Sequence, residues 1–324
     1  MDTTLLDEEL ASVLESFPVS DLWSDLDATR ARAAEMRAKL IGKLPKVESV
    51  ETEDHSITRS DGPNVPVRVY RPKIKSGQLP GLLWIHGGGY CFGSVEGDDY
   101  VVRQLVDAVG CVVVSVDYRL APEYPFPAPM QDCLDALKWL ANNTEMLLVD
   151  PDRLSIGGIS AGGGLAAGLA LMVRDKTDIH LIFQLLLCPM IDDRCITPSS
   201  YMITDKRIWN RHSNLIGWKY YLNEEDTCDK EPYESISQYA AVARATDLTG
   251  LPPAYIAVGS VDAFVDEDRE YAARLQQSGV AVQLEVFDGG FHGFEFIAPK
   301  AKISQNAREL HYQALRNALF AGQV

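Results

Sequence analysis

The 324-residue chain lacks three features that would direct it to particular partners or compartments. It has 30 basic residues against 46 acidic ones, a net charge of −16, whereas phosphate recognition needs a basic face. It has no apolar run of the roughly 18 residues that span a membrane, and its N-terminus has neither the basic nor the apolar region of a secretory signal. We therefore expect a cytoplasmic protein that contacts neither nucleic acid nor membrane.

Cysteine is also sparse, and no two cysteines form a CxxC pair. The six are Cys91, Cys111, Cys133, Cys188, Cys195 and Cys228. At this density we expect them to be reduced and mostly buried, with no disulfide framework. No ligand cluster is evident, because the pair Asp192 and Asp193 lacks a third ligand at useful spacing and is better interpreted as a solvated turn. We expect no metal site and no cofactor.

Hydrophobic spacing predicts two helices at the start of the chain. Residues 1–29 contain eight acidic residues and no Lys or Arg, and their apolar positions recur every three to four residues, as in an amphipathic helix. A second helix is predicted at 29–44. Strands and helices then alternate, which predicts an α/β fold with a mostly parallel, doubly wound sheet. The predicted strands are 65–70, 81–85, 111–116, 154–157, 181–187, 254–258 and 282–287, and the helices are 98–109, 129–142, 161–173, 266–278 and 304–320.

Residues 189–250 interrupt this alternation. They contain seven aromatic residues and no clear strand: Tyr201, Trp209, Trp218, Tyr220, Tyr221, Tyr233 and Tyr239. We interpret the segment as a helical insertion over the carboxyl edge of the sheet, where ligands of such folds bind. The predicted organisation is N-terminal cap helices (1–45), a first core part (46–188), a cap insertion (189–250) and a second core part (251–324).

A GxSxG sequence centred on Ser160 lies between a predicted strand and a predicted helix. This context is the one in which GxSxG places a nucleophilic serine on a strained turn. The helix N-terminus also offers backbone N–H groups to a developing negative charge. The alternative is a glycine-rich helix start that only packs tightly or binds a phosphate. The context favours Ser160 as the nucleophile.

A second glycine-rich loop, His86-Gly87-Gly88-Gly89-Tyr90, follows the predicted strand 81–85. Glycines let backbone amides approach a substrate oxygen without obstruction by Cβ. The N–H groups of Gly88, Gly89 and Ala161 are therefore candidates for a three-donor oxyanion hole. A flexible hinge is the alternative, but hinges rarely follow a buried strand. His86 itself is expected to fix the shape of the loop.

A serine nucleophile needs a base and an orienting carboxylate. Of the six histidines, His292 lies in a glycine-flanked loop just after the last predicted strand, so it is the best candidate for the base. Asp262 lies in a loop after the strand ending near Gly259, whereas Asp266 fits the first turn of the next helix, where capping explains it. Asp262 is the preferred acid. The order Ser160, Asp262, His292 is the one expected on this fold.

Several segments together resemble the hormone-sensitive-lipase-like family of carboxylesterases. They are the glycine loop, Asp117-Tyr-Arg-Leu-Ala-Pro-Glu123, Gly-Ile-Ser-Ala-Gly-Gly163, Asp262-Ala-Phe-Val-Asp266 and His292-Gly-Phe294. The resemblance implies an α/β-hydrolase core with a helical cap, the triad and oxyanion donors named above, structural roles for Arg119 and Glu123, and a possible homodimer. One departure is Ile159, where the family usually has Asp or Thr.

The leading hypothesis is a serine hydrolase that cleaves small to medium carboxylic esters without a cofactor. A lactonase, or a hydrolase that cleaves or cyclises an aromatic or polyketide-like substrate in specialised metabolism, is the alternative. A non-catalytic ligand receptor on the same scaffold is disfavoured, because it would not need His292. The predicted pocket residues are aromatic: Tyr90, Phe92, Tyr201, Trp209, Trp218 and Phe294.

Overall fold

The computed structural model describes residues 3–19, 21–41, 44–59, 62–74, 77–223 and 236–322. These residues include an eight-stranded sheet. The strand order is β1-β2-β4-β3-β5-β6-β7-β8. The pairs β1/β2 and β2/β4 are antiparallel and the others are parallel. The predicted fold class is confirmed. The strands are β1 (Val50–Ile57), β2 (Val65–Pro72), β3 (Leu79–Ile85), β4 (Val112–Val116), β5 (Val149–Ile159), β6 (Leu181–Leu187), β7 (Ala254–Val261) and β8 (Val282–Phe291).

Helices precede the sheet, connect its strands and close the chain. Tyr233 and Cys228, noted in the sequence, lie outside the described residues. The helices are α1 (Glu8–Glu15), α2 (Leu26–Ile41), α3 (Val95–Val109), α4 (Ala128–Asn142), α5 (Thr144–Leu147), α6 (Ala161–Lys176), α7 (Pro198–Met202), α8 (Arg211–Leu222), α9 (Val265–Gln277), α10 (Phe294–Ile297) and α11 (Lys302–Leu319). Among the described residues, no helix has the length and apolar character needed to cross a membrane.

The central strands are buried on both faces, and the edge strand β1 is not. Strand β4, of sequence VVVSV, is buried at every position, as its continuous apolar run predicts. Strand β1, of sequence VETEDHSI, was missed because residues 51–54 are all exposed, so that acidic side chains lie on both faces of this edge strand. Exposure of an edge strand therefore hid its periodicity.

Six parallel-paired strands end at one edge of the sheet, and the segments that follow five of them meet there. Strand β3 ends before the glycine loop, β5 ends before Ser160, β7 ends before Asp262 and β8 ends before His292. Strand β6 ends before Cys188. Because parallel neighbours run in the same direction, these loops meet at the carboxyl edge.

The segment after β6 is more buried than its sequence suggested. The interpretation of Asp192 and Asp193 as a solvated turn was wrong, because they are only 2% and 0% exposed. Each carboxylate is paired with a guanidinium, Asp192 with Arg194 and Asp193 with Arg244, at 2.7 Å in both cases. A buried charge is tolerated when a paired charge and hydrogen bonds compensate it.

Candidate active site

Ser160 lies on a strained turn between β5 and α6. Its φ of 56° and ψ of −122° fall in a region that residues other than glycine rarely adopt. Gly162 lets α6 lie close to β3 at this turn, because a Cβ at position 162 would collide with the carbonyl oxygen of Ile85. From Ala161 to Val173, every residue of α6 is buried. The surrounding core therefore holds the Ser160 side chain in place.

A chain of hydrogen bonds joins Ser160, His292 and Asp262. The distance from Ser160 Oγ to His292 Nε2 is 2.9 Å, and that from His292 Nδ1 to Asp262 Oδ2 is 2.8 Å. Asp262 is 1% exposed and Ser160 6%, while the His292 side chain keeps 10%. Residues separated by 132 and 30 positions in the chain thus meet within hydrogen-bond distance.

The carboxylate of Asp262 is held from two sides. Its Oδ2 faces His292, and its Oδ1 accepts a hydrogen bond from the backbone N–H of Phe264 at 3.0 Å. The Phe264 ring packs edge-on against the imidazole, with centroids 4.9 Å apart. Asp266, the competing candidate, instead accepts the backbone N–H of Ser199 at 2.8 Å. The geometry therefore places Asp262, and not Asp266, against the histidine.

The glycine loop turns sharply beside Ser160. Gly88 and Gly89 both have positive φ values, 119° and 57°, which glycine adopts at little cost. Gly88 O accepts hydrogen bonds from the N–H groups of Cys91 and Phe92, at 3.1 and 2.9 Å. Ala161 is the first residue of α6, so its N–H has no acceptor within that helix. The structure thus brings the predicted oxyanion donors to the same edge as Ser160.

Polar side chains around the loop maintain its shape. His86 is fully buried, its Nδ1 lies 2.8 Å from Gly87 O, and its ring stacks on Tyr118 at 4.2 Å. Burial lowers the pKa of His86, which favours the neutral ring. Arg119 pairs with Asp132 at 2.7 Å, an arrangement consistent with the structural role implied by the family resemblance.

Glu123 connects the core to the N-terminal helices through Arg30 of α2. The two guanidinium NH₂ nitrogens of Arg30 lie 2.7 and 3.0 Å from the carboxylate oxygens of Glu123. The same side chain donates to the carbonyl oxygens of Cys91 and Ala121, at 2.9 and 2.8 Å. Sequence analysis did not single out Arg30, because its partners lie 61 to 93 residues away.

Three of the six predicted pocket aromatics belong to the protein core. Tyr90 and Trp218 are 0% exposed, and Tyr90 stacks on Tyr221 and donates to Met190 O. Phe294 is 3% exposed and packs against Phe287. The rings of these three residues are used in packing, and their contribution to a substrate pocket stays a prediction.

The other three predicted pocket aromatics are at least partly accessible. Tyr201 is 52% exposed and stacks with the guanidinium of Arg211, whose Cζ lies 3.7 Å from the ring centroid. Phe92 and Trp209 are half-buried. The Trp209 ring centroid lies 6.3 Å from that of His292. A Cβ at Gly89 would collide with Trp209, so this ring is in close contact with the glycine loop.

Trp23 joins Phe92 and Trp209 near the site, although sequence analysis missed it. Its ring centroid lies 5.1 Å from Phe92, 6.0 Å from Trp209 and 6.0 Å from Tyr220. Its indole N–H donates to Ser213 Oγ at 3.1 Å. The sequence feature that could have indicated Trp23 is its position as a single tryptophan in an acidic segment. We call Trp23, Phe92, Trp209 and Tyr220 the aromatic cluster.

Buried ionisable groups lie behind the catalytic edge. Glu267 and Asp268 are 2% and 0% exposed, and among the described residues neither Asp268 oxygen has a hydrogen-bond partner. Burial, followed by neighbouring negative charges that include Asp262, raises the pKa of both carboxyls well above the usual range. Both are therefore favoured as neutral acids.

Three side chains with metal-ligating atoms lie close together at the site, although the sequence showed no ligand cluster. Ligand atoms of Cys188, Asp262 and His292 all lie within 4.8 Å of one another. The sequence could not reveal this group, because its members follow three different strands and are widely separated along the chain.

Comparison with known proteins agrees with this geometry. A family model described as alpha/beta hydrolase fold matches residues 82–296. Carboxylesterase NlhH of Mycobacterium tuberculosis is 32% identical over 319 residues, which cover 98% of this chain and 97% of the relative. An arylesterase of Saccharolobus solfataricus is 32% identical and covers 89% of this chain and 92% of its own length.

Solved structures extend the similarity to the whole fold. A bacterial heroin esterase is 39% identical, with a TM-score of 0.92 over 98% of this chain and 99% of its own. The esterase LipW of Mycobacterium marinum is 32% identical, with a TM-score of 0.89 and coverage of 98% of both chains. The chain belongs to the α/β-hydrolase family and, within it, to the hormone-sensitive-lipase-like carboxylesterases.

Proposed function

We propose that Ser160, His292 and Asp262 form the catalytic triad with which this carboxylic ester hydrolase cleaves esters of small to medium acyl chains. The hydrogen-bonded series from Ser160 Oγ through the imidazole to Asp262 Oδ2, at 2.9 and 2.8 Å, carries the proposal. In this arrangement a base touches the nucleophile, and a buried carboxylate fixes the tautomer of the base.

In the first half of the reaction, Ser160 Oγ attacks the carbonyl carbon of the ester while His292 Nε2 takes the hydroxyl proton. The carbonyl oxygen becomes an oxyanion, which the N–H groups of Gly88, Gly89 and Ala161 stabilise. When this intermediate collapses, the bond to the alcohol oxygen breaks and His292 returns the proton to the leaving alcohol. The acyl group remains on Ser160.

In the second half, water attacks the acyl-serine carbonyl and gives a proton to His292. The same three N–H groups stabilise the second oxyanion. Its collapse releases the carboxylic acid, and the proton on His292 returns to Ser160 Oγ. Asp262 accepts the hydrogen bond of His292 Nδ1–H throughout and stabilises the imidazolium, without itself becoming protonated.

The proposed preference for short acyl chains rests on Trp209. Its ring lies directly against Gly89 and within 6.3 Å of the His292 ring, measured between centroids, so it limits the space above the glycine loop. We further propose that the N-terminal helices and the described residues of 189–250 cover the site from two sides. The contact of Trp23 with Trp209 and Ser213 supports this arrangement.

The test is hydrolysis of p-nitrophenyl esters of increasing acyl length, with a set of lactones measured alongside. We expect turnover of the acetate and butyrate and a decline with longer chains. Ser160→Ala should lower kcat by at least about 10⁴-fold and leave the circular dichroism spectrum unchanged. Binding of esters or lactones without turnover by the wild-type protein would contradict the proposal.

Labelling with a fluorophosphonate tests the activation of Ser160 separately from substrate choice. The matched control is Ser155→Ala, since Ser155 is buried on the same strand and its hydroxyl only donates to Gly81 O at 2.9 Å. Wild type and Ser155→Ala should be labelled and Ser160→Ala should not. Equal labelling of all three proteins would show that another residue reacts.

A further inference from the structure

Cys188 lies beside the proposed triad although the ester mechanism does not use it. It follows β6 directly and is 4% exposed. Its Sγ, a carboxylate oxygen of Asp262 and a ring nitrogen of His292 all lie within 4.8 Å of one another. Nδ1 of His292 is the ring nitrogen that contacts Asp262, at 2.8 Å. Nδ1 is therefore the nitrogen on the same side of the ring as these ligand atoms.

A small cavity adjoins two of these side chains, Cys188 and Asp262. It has a volume of about 10 Å³, and Cys188, Asp262, Gly293 and Glu295 are among the residues that line it. This is about the volume that one water-sized atom requires. Cys188 and Asp262 therefore border space for about one small ion, and the ring of His292 contacts Asp262 next to that space.

The ligand types match a borderline or soft divalent cation. Thiolate and imidazole ligands select zinc and similar metals, and a carboxylate completes such sets. Ligand distances of about 2.0–2.3 Å place neighbouring ligand atoms closer together than 4.8 Å, so modest side-chain rotations would bring them into position. A thiolate and a carboxylate also supply the two negative charges that balance a divalent cation.

We propose that Cys188, Asp262 and His292 form a reversible inhibitory site for a thiophilic divalent cation such as Zn²⁺ or Cd²⁺. The cation bonds to Cys188 Sγ, and the thiol proton is released to solvent. It also bonds to His292 Nδ1, and the proton of that nitrogen moves to Nε2, so the ring stays neutral. Nε2 then donates a hydrogen bond to Ser160 and has no lone pair with which to accept its proton. No oxidant or reductant is required.

Binding depends on the metal's affinity for sulfur, because the cation replaces the thiol proton of Cys188. Soft cations compete best with a proton for sulfur. We therefore expect Cd²⁺ to inhibit at lower concentration than Mg²⁺, which prefers oxygen ligands.

The experiment measures binding and activity on the same purified full-length protein. Cd²⁺ alone is titrated in a non-chelating buffer, while the ultraviolet thiolate-to-cadmium absorption is recorded and p-nitrophenyl butyrate hydrolysis is followed. We expect one equivalent of absorption, a parallel loss of activity, and recovery of both by a chelator. Cys188→Ser should lose the absorption and need at least about tenfold more Cd²⁺ for half-inhibition.

The matched control is Cys111→Ser, because Cys111 is also buried but precedes β4 at the opposite edge of the sheet. It should behave as the wild type. Cys188→Ala provides a second variant if the serine disturbs folding, which thermal melting would reveal.

The proposal rests on the positions of Asp262 and His292 in the proposed triad, but its binding arm does not depend on catalysis. Ser160→Ala has no nucleophile and should still give the cadmium absorption. Absence of that absorption from the wild type would overturn the metal site whether or not the protein is an esterase. Equal sensitivity of Cys188→Ser and the wild type would also overturn it, because the metal would then act elsewhere.

Discussion

The sheet edge that carries Ser160 and the helix α2 near the start of the chain are held by different kinds of interaction. Ser160 lies between a strand and a helix whose residues near it are all buried. In α2, by contrast, Thr29 alone is buried among the described side chains. That helix contacts the core through Arg30 and through Arg37, which donates to Ser94 Oγ at 2.8 Å.

The two regions therefore differ in how firmly they are held in place. A packed core has few alternative arrangements, so it fixes the nucleophile, base and acid. A helix attached by a few polar side chains can separate at a lower free-energy cost. We expect changes at the sheet edge to affect the chemical step strongly, and changes in α2 to affect it weakly through the loop that α2 contacts.

The largest effect that tests this comparison is expected at Asp262. Asp262→Asn keeps the size of the side chain but presents an amide to His292, which favours the wrong tautomer. We expect kcat to fall by about 10⁴-fold, measured with p-nitrophenyl butyrate. Asp266→Asn is the matched control. Asp266 lies in the first turn of α9, and its carboxylate accepts a hydrogen bond from the backbone N–H of Ser199.

Asp266→Asn should leave kcat unchanged and lower the free energy of unfolding by about 1 kcal/mol, the usual cost of weakening a helix N-terminus. If the two variants lost activity equally, the assignment of Asp262 as the acid would be refuted.

A smaller but still large effect is expected at Gly89. A methyl group there would collide with Trp209, and φ is 57°, so Gly89→Ala should displace the turn that carries two of the proposed oxyanion donors. We expect a loss of about 10²–10³-fold in kcat, as for removal of one donor. Gly279→Ala is the control, because its φ is 80° and a Cβ there meets no atom within 4 Å.

Gly279→Ala should cost about 1 kcal/mol of stability through backbone strain and leave kcat unchanged. Thermal melting and steady-state kinetics on both variants separate the two effects. A Gly89→Ala protein with wild-type kcat would remove Gly89 from the proposed oxyanion hole.

The smallest effect is expected at Arg30, which lies in α2, the less firmly held of the two regions. Arg30→Ala removes the hydrogen bonds to Glu123 and to the carbonyl oxygens of Cys91 and Ala121. We expect the free energy of unfolding to fall by about 1–3 kcal/mol and kcat to fall about tenfold, since Cys91 follows the glycine loop and its displacement would misplace the donors.

Glu123→Gln is the matched variant, because it keeps both carbonyl contacts of Arg30 and removes only the charge of its partner. It should cost less than about 1 kcal/mol, as expected for a partly exposed ion pair, with little change in kcat. A larger kcat loss in Glu123→Gln than in Arg30→Ala would contradict a role for Arg30 in positioning the loop.

Local patterns made much of the molecule predictable. Alternating apolar runs predicted the α/β fold, and the GxSxG sequence with its flanking strand and helix predicted the turn at Ser160. Asp262 could be preferred to Asp266 because a loop position and a helix-cap position differ in sequence context. Strand β1 was missed because four exposed residues in succession, three of them acidic, give no apolar alternation.

Side-chain environments were less predictable, because they depend on contacts between distant segments. Tyr90 and Trp218 resembled pocket residues by type, yet both are buried among other rings. Asp192 and Asp193 resembled an exposed turn by type, yet Arg244, 51 residues after Asp193, pairs with that carboxylate. Residue type and order do not specify which face of an element is covered.

The sequence by itself determined the fold class, because the apolar spacing within each strand and helix is local. It also determined the order of Ser160, Asp262 and His292, because each of them lies in a local motif next to a predicted strand. The tertiary structure alone decided that their atoms meet at 2.8 and 2.9 Å, that Trp23 packs against Trp209, and that Cys188 adjoins the histidine. These contacts join segments that follow different strands, and the parallel sheet brings them together only when the whole chain has folded.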